Sequence, residues 1–289
     1  MEVNEALLMD LADCGSPERL LAVILEHHSD WKPPVDVETF ARSVGIIEFR
    51  DLEVDGFVGA LMTDMEKTKG IILSAAGMPT PRRRFTISHE LGHFLIAAHL
   101  GDKRCTAKDM YENGRETHHQ KEEAQANRFA ASLLMPKPWF VAQMDEMGAP
   151  DMSHLHALAS TYGVSLEAAA NRYADLTPEA CAFVFMKDGR IRYSRPSRSF
   201  PPMTVRRGEQ APSSAMLGSH HWSPTVASDW LRLDRGRTPD LQVQVLTQKN
   251  GFRTVLLHIE DFTEDDAEEE EDTVDRFRNR FGRGADHCR

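Results

Sequence analysis

Apolar residues between positions 80 and 101, TPRRRFTISHELGHFLIAAHLG, recur at the spacing of a helix with one buried face. The positions that carry this period are Phe85, Leu91, Phe94, Leu95 and Ala98. Thr80 suits the cap of such a helix, Pro81 its first turn, and Gly101 the position just past its end. The pattern therefore predicts a helix that fills most of this stretch.

A second helical pattern covers residues 121–135, KEEAQANRFAASLLM, and is stopped by Pro136. Its alanines are small enough to let this helix pack closely on a neighbour. Shorter helices are predicted on both sides of these two, at residues 3–28 (two helices, the second restarted at Ser16), 37–44, 139–147, 153–162 and 166–173.

Strand patterns fall in two regions. Residues 46–49 predict one strand, and residues 57–63 and 70–77 predict a β-pair around the polar turn DMEKTKG. From Ala180 onward the pattern alternates, with one hairpin turning at Asp188-Gly189 and another at Asn250-Gly251. Residues 195–237, which lie between these hairpins, are typical of an irregular surface loop.

Composition and charge narrow the function classes. The 289 residues are 41% hydrophobic and 27% charged, as in ordinary globular proteins. A net charge of −11 argues against a nucleic-acid binder whose affinity rests on phosphate contacts. The acidic run near the C-terminus predicts a disordered tail. No basic-then-apolar leader precedes Ser16. The longest apolar run, residues 20–25, is too short to span a bilayer. A cytoplasmic protein is therefore expected.

The predicted helix of residues 80–101 contains the motif H-E-x-x-H, formed by His89, Glu90 and His93. Two histidines four positions apart lie on the same side of a helix, so both imidazoles can reach one metal ion. Glu90 projects about a hundred degrees around the helix, where it can act on a water at the metal without ligating the ion. The alternative is a pair of buried histidines whose nitrogens are satisfied by backbone carbonyls.

A catalytic zinc ion takes three protein ligands and keeps one position open, so a third ligand is required. The second helix offers Glu123, with Asn127 one turn later on the same face. Asn127 suits the task of holding the free N–H of a histidine ligand. Glu122, the neighbouring acid, is expected on a solvated face. Two imidazoles and a carboxylate would also accept Mn²⁺ or Fe²⁺.

ISHELGHFL, followed some thirty residues later by E-x-x-A-N-R-F-A-x-x-L-L-M-P, resembles the ImmA/IrrE family of metallopeptidases, within the wider gluzincin group. The resemblance covers roughly residues 31–175 and implies an α+β, zincin-like metallopeptidase domain: a small β-sheet with active-site helices. It implies His89, His93 and Glu123 as ligands of one Zn²⁺ and Glu90 as the general base. It also implies a dedicated protein target, commonly a helix-turn-helix transcriptional repressor whose cleavage switches on stress-response or mobile-element genes.

These expectations divide the chain into four parts: an N-terminal helical extension (1–30), the metallopeptidase domain (31–178), a small α+β domain for regulation or partner binding (179–260), and an acidic tail (261–289). Family members often carry a DNA-binding module ahead of the peptidase domain, and this N-terminus is too short and too acidic to be one. No direct nucleic-acid or membrane partner is therefore expected, and the sequence leaves the oligomeric state open.

Several features of the sequence keep two interpretations open. Tyr111, His118 or His119, in the polar stretch between the helices, could stabilise the oxyanion of peptide hydrolysis. Cys105, in the same stretch, could tune activity by oxidation near the metal. The β-pair could bind substrate by strand addition, with Gly56 and Gly59 allowing close backbone approach, or be an ordinary edge pair.

Two rival functions also remain. One is a non-catalytic regulator that binds a repressor with the same fold. The other is a DNA reader that uses the helix–turn–helix outline of residues 153–173. That outline has only one arginine in its second helix, so we expect it to pack in the core under the metal site.

Overall fold

The computed structural model describes residues 3–99, 103–106, 109–111, 117–232 and 238–260. Two compact units divide the chain: the described residues of Met1–Met147 with His154–Arg172, and those of Gly148–Ser153 with Tyr173–Arg289. Both units mix helices with a sheet, which confirms the α+β class. No helix among the described ranges is long and apolar enough to cross a membrane. The predicted acidic tail, 261–289, lies outside these ranges.

The first unit contains eight helices and four strands along its described length. In chain order they are α1 (Glu5–Ala12), α2 (Pro17–His27), α3 (Val37–Ser43), β1 (Ile46–Leu52), β2 (Gly59–Thr63), β3 (Gly70–Ala75), α4 (Thr80–Leu95), β4 (Lys103–Cys105), α5 (His118–Leu134), α6 (Lys137–Met147), α7 (His154–Tyr162) and α8 (Leu166–Leu176), whose last four residues belong to the second unit.

The sheet of this unit has the strand order β1-β3-β2-β4. β1 runs parallel to β3, while β2 is antiparallel to both β3 and β4. The predicted β-pair of residues 57–63 and 70–77 is confirmed, but β2 is not an edge strand over its first three residues. Gly59 is paired with Ser74 on one side and with Cys105 on the other. Strand addition at this part of β2 is therefore blocked by β4.

Helix α4 lies against this sheet and against α5. Its Phe94 ring packs over Gly70, where an added Cβ would lie 3.2 Å from the ring. At the crossing with α5, a Cβ on Gly92 would lie 3.2 Å from the Cα of Ala126, so the small residues predicted for this contact bring the two helix backbones together. Helix α2 also contacts α5, and the N-terminal helices belong to the first unit. The predicted division into four parts stays a prediction.

Helix α4 ends earlier than its apolar period predicts. It stops at Leu95, with Ile96 as the C-terminal cap residue, so Ala98 lies beyond the helix and Gly101 outside the described residues. Lys67 caps this end: its Nζ donates to the carbonyls of His93 (2.7 Å), Ile96 (3.1 Å) and His99 (2.8 Å). A cation there satisfies the carbonyls that a helix end leaves free.

The other helix boundaries show two further differences. Thr80 is the first residue of α4 rather than its cap; Pro79 precedes it without a side-chain capping bond. Helix α5 starts at His118, three residues before its prediction, because Thr117 and Gln120 form a capping box. His118 and His119 therefore lie in the first turn of a helix.

The α7–α8 outline packs in the first unit as expected. Leu155, Leu158 and Tyr162 of α7 are buried, as are Ala169 and Ala170 of α8. The side chain of Arg84, five residues before His89 in α4, donates to the carbonyl of Gly163 in the intervening turn (3.1 Å). The turn is thus fastened to the N-terminal half of the helix that carries the H-E-x-x-H motif.

The second unit is built on a five-stranded antiparallel sheet of order β6-β5-β9-β8-β7. Its elements are β5 (Cys181–Lys187), β6 (Arg190–Pro196), α9 (Ser213–Leu217), β7 (Ser223–Pro224), β8 (Leu241–Thr247) and β9 (Phe252–Ile259). Both predicted hairpins are confirmed, with positive φ at Asp188, Gly189, Asn250 and Gly251. The predicted loop 195–237 is more ordered than expected: it contributes α9, β7 and the fully buried Trp230. A regulatory role for this unit stays a prediction.

Candidate metal centre

Helices α4 and α5 bring three of the predicted residues to one point. The Nε2 atom of His89 lies 3.1 Å from Nε2 of His93 and 3.1 Å from Oε2 of Glu123. His93 Nε2 lies 3.4 Å from the other carboxylate oxygen of Glu123. All three side chains are buried. Four-residue spacing on α4 sets the histidine pair, and the close crossing at Gly92 carries Glu123 to it.

Asn127 fixes the tautomer of His89. Its Nδ2 donates to the carbonyl of Asp109 (2.9 Å), so its Oδ1 faces His89 Nδ1, 2.9 Å away, as an acceptor. His89 Nδ1 must then carry the proton, and Nε2 keeps its lone pair. The structure thus places Asn127 where the sequence predicts it, against the far nitrogen of a candidate ligand.

His93 is held by two residues that the sequence patterns did not single out. Its Nδ1 lies 2.9 Å from Nδ1 of His99, and the Nε2 of His99 lies 2.9 Å from Oε1 of Gln125. A consistent proton arrangement has His99 Nε2 donating to Gln125 and His93 Nδ1 donating to His99, which leaves the lone pair of His93 on Nε2. The only sequence signal for His99 is a third histidine six residues after His93.

The two Nε2 atoms and the Glu123 carboxylate therefore converge, and a cation between them, either a shared proton or a metal ion, stabilises this arrangement. A tetrahedral site with metal–ligand distances near 2.0–2.1 Å has edges of roughly 3.3 Å between nitrogen and oxygen ligands. The two Nε2 atoms are 3.1 Å apart, and each has one carboxylate oxygen of Glu123 at a similar separation, Oε2 at 3.1 Å from His89 and Oε1 at 3.4 Å from His93, which is close to that size. Two imidazoles and a carboxylate also form the donor set that Zn²⁺ accepts. The residues present fit a metal ion.

The pKa values of this cluster follow from burial and from mutual contact. Burial lowers the pKa of His93 to about 4, which keeps the imidazole neutral, the form that ligates. Burial tends to raise the pKa of Glu123, but its contacts with His89 and His93 outweigh that effect and hold it well below its usual range. The carboxylate and the neutral His93 are thus both in their ligating forms at pH 7.

Glu90 is fully buried, and within the described residues neither of its carboxylate oxygens meets the geometry of a hydrogen bond, although the weak S–H donor of Cys105 is close enough to lower its pKa slightly against the effect of burial. Burial raises the pKa of Glu90 to about 7. An isolated buried carboxylate is costly, so such a group is typical of a functional site. Gly59 of β2 faces it: a Cβ at Gly59 would lie 2.5 Å from Glu90 Oε1. The close backbone approach predicted for Gly59 is therefore made to this carboxylate.

The three candidates for oxyanion stabilisation fare differently. His118 is 81% exposed, with its Nδ1 3.6 Å from Glu122 Oε2, so it faces away from the cluster. His119 Nδ1 lies 3.7 Å from Glu123 Oε1, and its Nε2 lies 3.2 Å from Asp109 Oδ1. The side chain of Tyr111 lies outside the described part of the structure.

The structure also shows the surroundings of Glu122 and Cys105, two neighbours of the predicted ligands. Glu122, predicted on a solvated face, is only 8% exposed, because α5 is covered on more than one side. Cys105 of β4 is 1% exposed, and its Sγ lies 3.8 Å from His93 Nε2. Burial and the charges of Glu90 and Glu123 raise the pKa of this thiol well above its usual range.

Comparisons with known proteins agree with this site. Residues 46–173 match the Peptidase_M78 family model, described as the IrrE N-terminal-like domain. The chain is 33% identical over 122 residues to the radiation response metalloprotease IrrE of Deinococcus radiodurans. That match covers 42% of this chain and 35% of the relative, so the chain spans about a third of the length of that protein.

A solved structure described as a Mycobacterium tuberculosis transcriptional regulator resembles the chain with a TM-score of 0.52. The match covers 89% of this chain and 77% of that chain at 16% sequence identity. At this identity the likeness shows the fold alone.

Proposed function

We propose a function for the chain from one premise: residues 46–173 match the Peptidase_M78 family model, the IrrE N-terminal-like domain, as the ImmA/IrrE resemblance of the two motifs predicts. The proposed function is zinc-dependent hydrolysis of a peptide bond in a protein. The observation that carries this proposal is the meeting of His89, His93 and Glu123 beside a buried carboxylate, Glu90, that has no hydrogen-bond partner among the described residues.

His89 and His93, through their Nε2 atoms, and Glu123 would hold the metal ion. When bound, the ion supplies Lewis-acid polarisation of the scissile carbonyl and lowers the pKa of a water at the open position. Asn127 and His99 keep the lone pairs of the two imidazoles directed inward. Glu123 contributes one negative charge to the site.

Glu90 acts as the proton carrier. With a pKa of about 7 it is basic enough to take a proton from the attacking water and acidic enough to return it to the leaving amine. Its burial, which raises its pKa, is what suits it to this role. His119 is the remaining described candidate for donating to the oxyanion, since it lies at the exposed side of Glu123.

For the substrate, we propose a helix-turn-helix transcriptional repressor that is cut once, so that stress-response or mobile-element genes are released. This target follows from the resemblance of the two motifs, and a cytoplasmic location belongs to the same proposal. The competing function is a regulator with the same fold that binds the repressor without cutting it. The carboxylate of Glu90 separates the two, because a binder does not need it.

The metal centre is tested by zinc analysis of purified variants. Glu123→Gln is expected to lose the stoichiometric zinc of the wild type. Glu122→Gln is the matched control, since it removes a buried acid from the adjacent position of the same helix and should retain the metal. Equal zinc content in the two variants would remove Glu123 from the ligand set.

Hydrolysis is tested by incubating the zinc-loaded protein with a proteome-derived peptide library and detecting new termini by mass spectrometry. Cleavage is expected from the wild type and not from Glu90→Gln. For the target, purified helix-turn-helix repressors encoded beside the gene are expected to yield two fragments each from a single cut. Broad digestion of casein would contradict a dedicated target, and a regulatory effect in cells that survives Glu90→Gln would favour the binder.

A further inference from the structure

A fourth potential ligand lies beside the three that the motifs provide. Cys105, in the edge strand β4, is buried, with its Sγ 3.8 Å from Nε2 of His93. One ligand atom from each of His89, His93, Cys105 and Glu123 lies within 4.8 Å of every other. The four donors come from three different elements, α4, β4 and α5, so helix periodicity does not account for the position of the thiol.

The separation of the thiol fits a shared metal. With zinc–nitrogen distances near 2.0–2.1 Å and zinc–sulfur near 2.3 Å, a tetrahedral site separates nitrogen from sulfur by roughly 3.6 Å. The observed 3.8 Å between Cys105 Sγ and His93 Nε2 is close to that edge, and the thiol lies within 4.8 Å of a ligand atom of His89 and of Glu123.

We propose that Cys105 is the fourth protein ligand of the metal and closes the site in its resting state. This inference rests on the proposed function, because it uses the same three ligands. Binding breaks the S–H bond of Cys105 and forms a sulfur–metal bond, while the proton passes to solvent. The resulting set of two histidines, one cysteine and one carboxylate is complete for tetrahedral zinc.

The consequence is an autoinhibited peptidase. Cys105 takes the position that a catalytic zinc site keeps for water, so Glu90, which lies close enough for its charge to act on the thiol, has no water to deprotonate. Hydrolysis requires the sulfur to leave, so the wild type cleaves only through the fraction of molecules in which the thiolate has dissociated. Strand β4 is suited to that movement, because it is three residues long at the edge of the sheet and pairs with β2 only along Gly59–Leu61 in the described structure.

Cobalt substitution tests the proposal without relying on activity. Co²⁺ is titrated into the metal-free wild type, into Cys105→Ser and into Cys14→Ser, the last a matched control because Cys14 is also buried and free but lies far along the chain in the loop after α1. The wild type and Cys14→Ser are expected to show a thiolate-to-cobalt charge-transfer band in the near ultraviolet at one equivalent. Cys105→Ser is expected to lose this band and keep the visible cobalt bands.

The outcomes separate this inference from the proposed function. Visible cobalt bands with the same near-ultraviolet spectrum in Cys105→Ser and wild type would overturn the role of Cys105 and leave the three-ligand site intact. An absence of cobalt binding in the wild type would overturn both. Zinc competition gives a second readout: Cys105→Ala should bind zinc at least about tenfold more weakly, since a direct ligand contributes no less than an outer partner.

Peptide cleavage provides the functional arm. If Cys105 closes the site, zinc-saturated Cys105→Ala should cleave library peptides faster than the wild type, because its fourth position is open. Cys14→Ser should match the wild type. A Cys105→Ala variant that binds zinc but cleaves no faster than wild type would contradict autoinhibition.

Discussion

Gly59 sets the position of the proposed general base, and replacing it with alanine tests that arrangement. The new Cβ would lie 2.5 Å from Oε1 of Glu90 and 2.6 Å from Cγ2 of Thr86. Because β2 is paired on both sides at Gly59, the strand cannot retreat, and the carboxylate has to move. Restoring ordinary contact requires a shift of about 1 Å, and a misplacement of that size in a catalytic group costs about 100-fold in rate.

The expected result is a kcat about 100-fold below wild type, equivalent to about 2.7 kcal/mol of activation free energy. Zinc affinity should change little, since the atoms nearest to the new Cβ belong to Glu90 and Thr86 and not to the three ligands. The assay measures kcat on the library peptide that the wild type cleaves best, together with zinc affinity and the melting temperature.

Gly15→Ala is the control for a glycine replacement, because a Cβ there meets nothing within 4 Å. It should leave kcat unchanged. A folded, zinc-bound Gly59→Ala variant with kcat within about threefold of wild type would refute the reasoning, because a 1 Å displacement of the base should lower kcat by far more than that. It would mean that Glu90 does not carry the proton or that its position is not set by Gly59.

Three further changes follow from the same contacts. Glu90→Gln should stabilise the metal-free protein by roughly 3 kcal/mol at pH 8 and by little at pH 4. Burial raises the pKa of Glu90 from 4.5 to about 7, so its carboxylate destabilises the folded protein only as pH rises through that window. Denaturant unfolding at both pH values measures the effect, and an equal effect at both would contradict this prediction. His99→Leu should weaken zinc binding 10–100-fold by releasing His93 Nδ1, measured by chelator competition; an unchanged affinity would remove His99 from the site. His119→Ala should lower kcat about 100-fold and leave zinc affinity unchanged; unchanged kcat would exclude it as the oxyanion donor.

Local periodicity was sufficient to predict the part of the site that lies within single helices. His89 and His93 are one turn apart on α4, and Glu123 and Asn127 are one turn apart on α5, so spacing alone placed each pair on one face. That the two faces meet required the resemblance of the double motif. The hairpins of the second unit were predictable for the same local reason, since Asp-Gly and Asn-Gly turns need positive φ.

The missed contacts depend on residues that are distant in sequence. His99 reaches His93 because α4 ends at Leu95, where Lys67, in the turn between β2 and β3, donates to the free carbonyls. No pattern within residues 80–101 contains that information. Cys105 reaches the cluster through the pairing of β4 with β2. A strand of three residues is too short to be predicted from its sequence pattern.

Glu122 shows the limit of a charge-based rule. An acidic residue on a helix is expected to face solvent, yet Glu122 is buried because α5 is packed against both α2 and α4. The start of α5 shows a different limit: Thr117 and Gln120 form a capping box that is visible in the sequence once it is sought. The burial of Glu122 could be predicted only from the tertiary structure, whereas the start of α5 could be predicted from the capping box in the sequence.

The central claim is that this chain hydrolyses peptide bonds with Glu90 as the base at a metal site on α4 and α5. Its most direct test is cleavage of the peptide library in water enriched in ¹⁸O, with mass spectrometry of the new C-termini. Zinc-loaded wild type should place one ¹⁸O in each new carboxyl group, and Glu90→Gln, carrying the same zinc, should produce none. Labelled termini from both proteins in equal amounts, or from neither, would contradict the account.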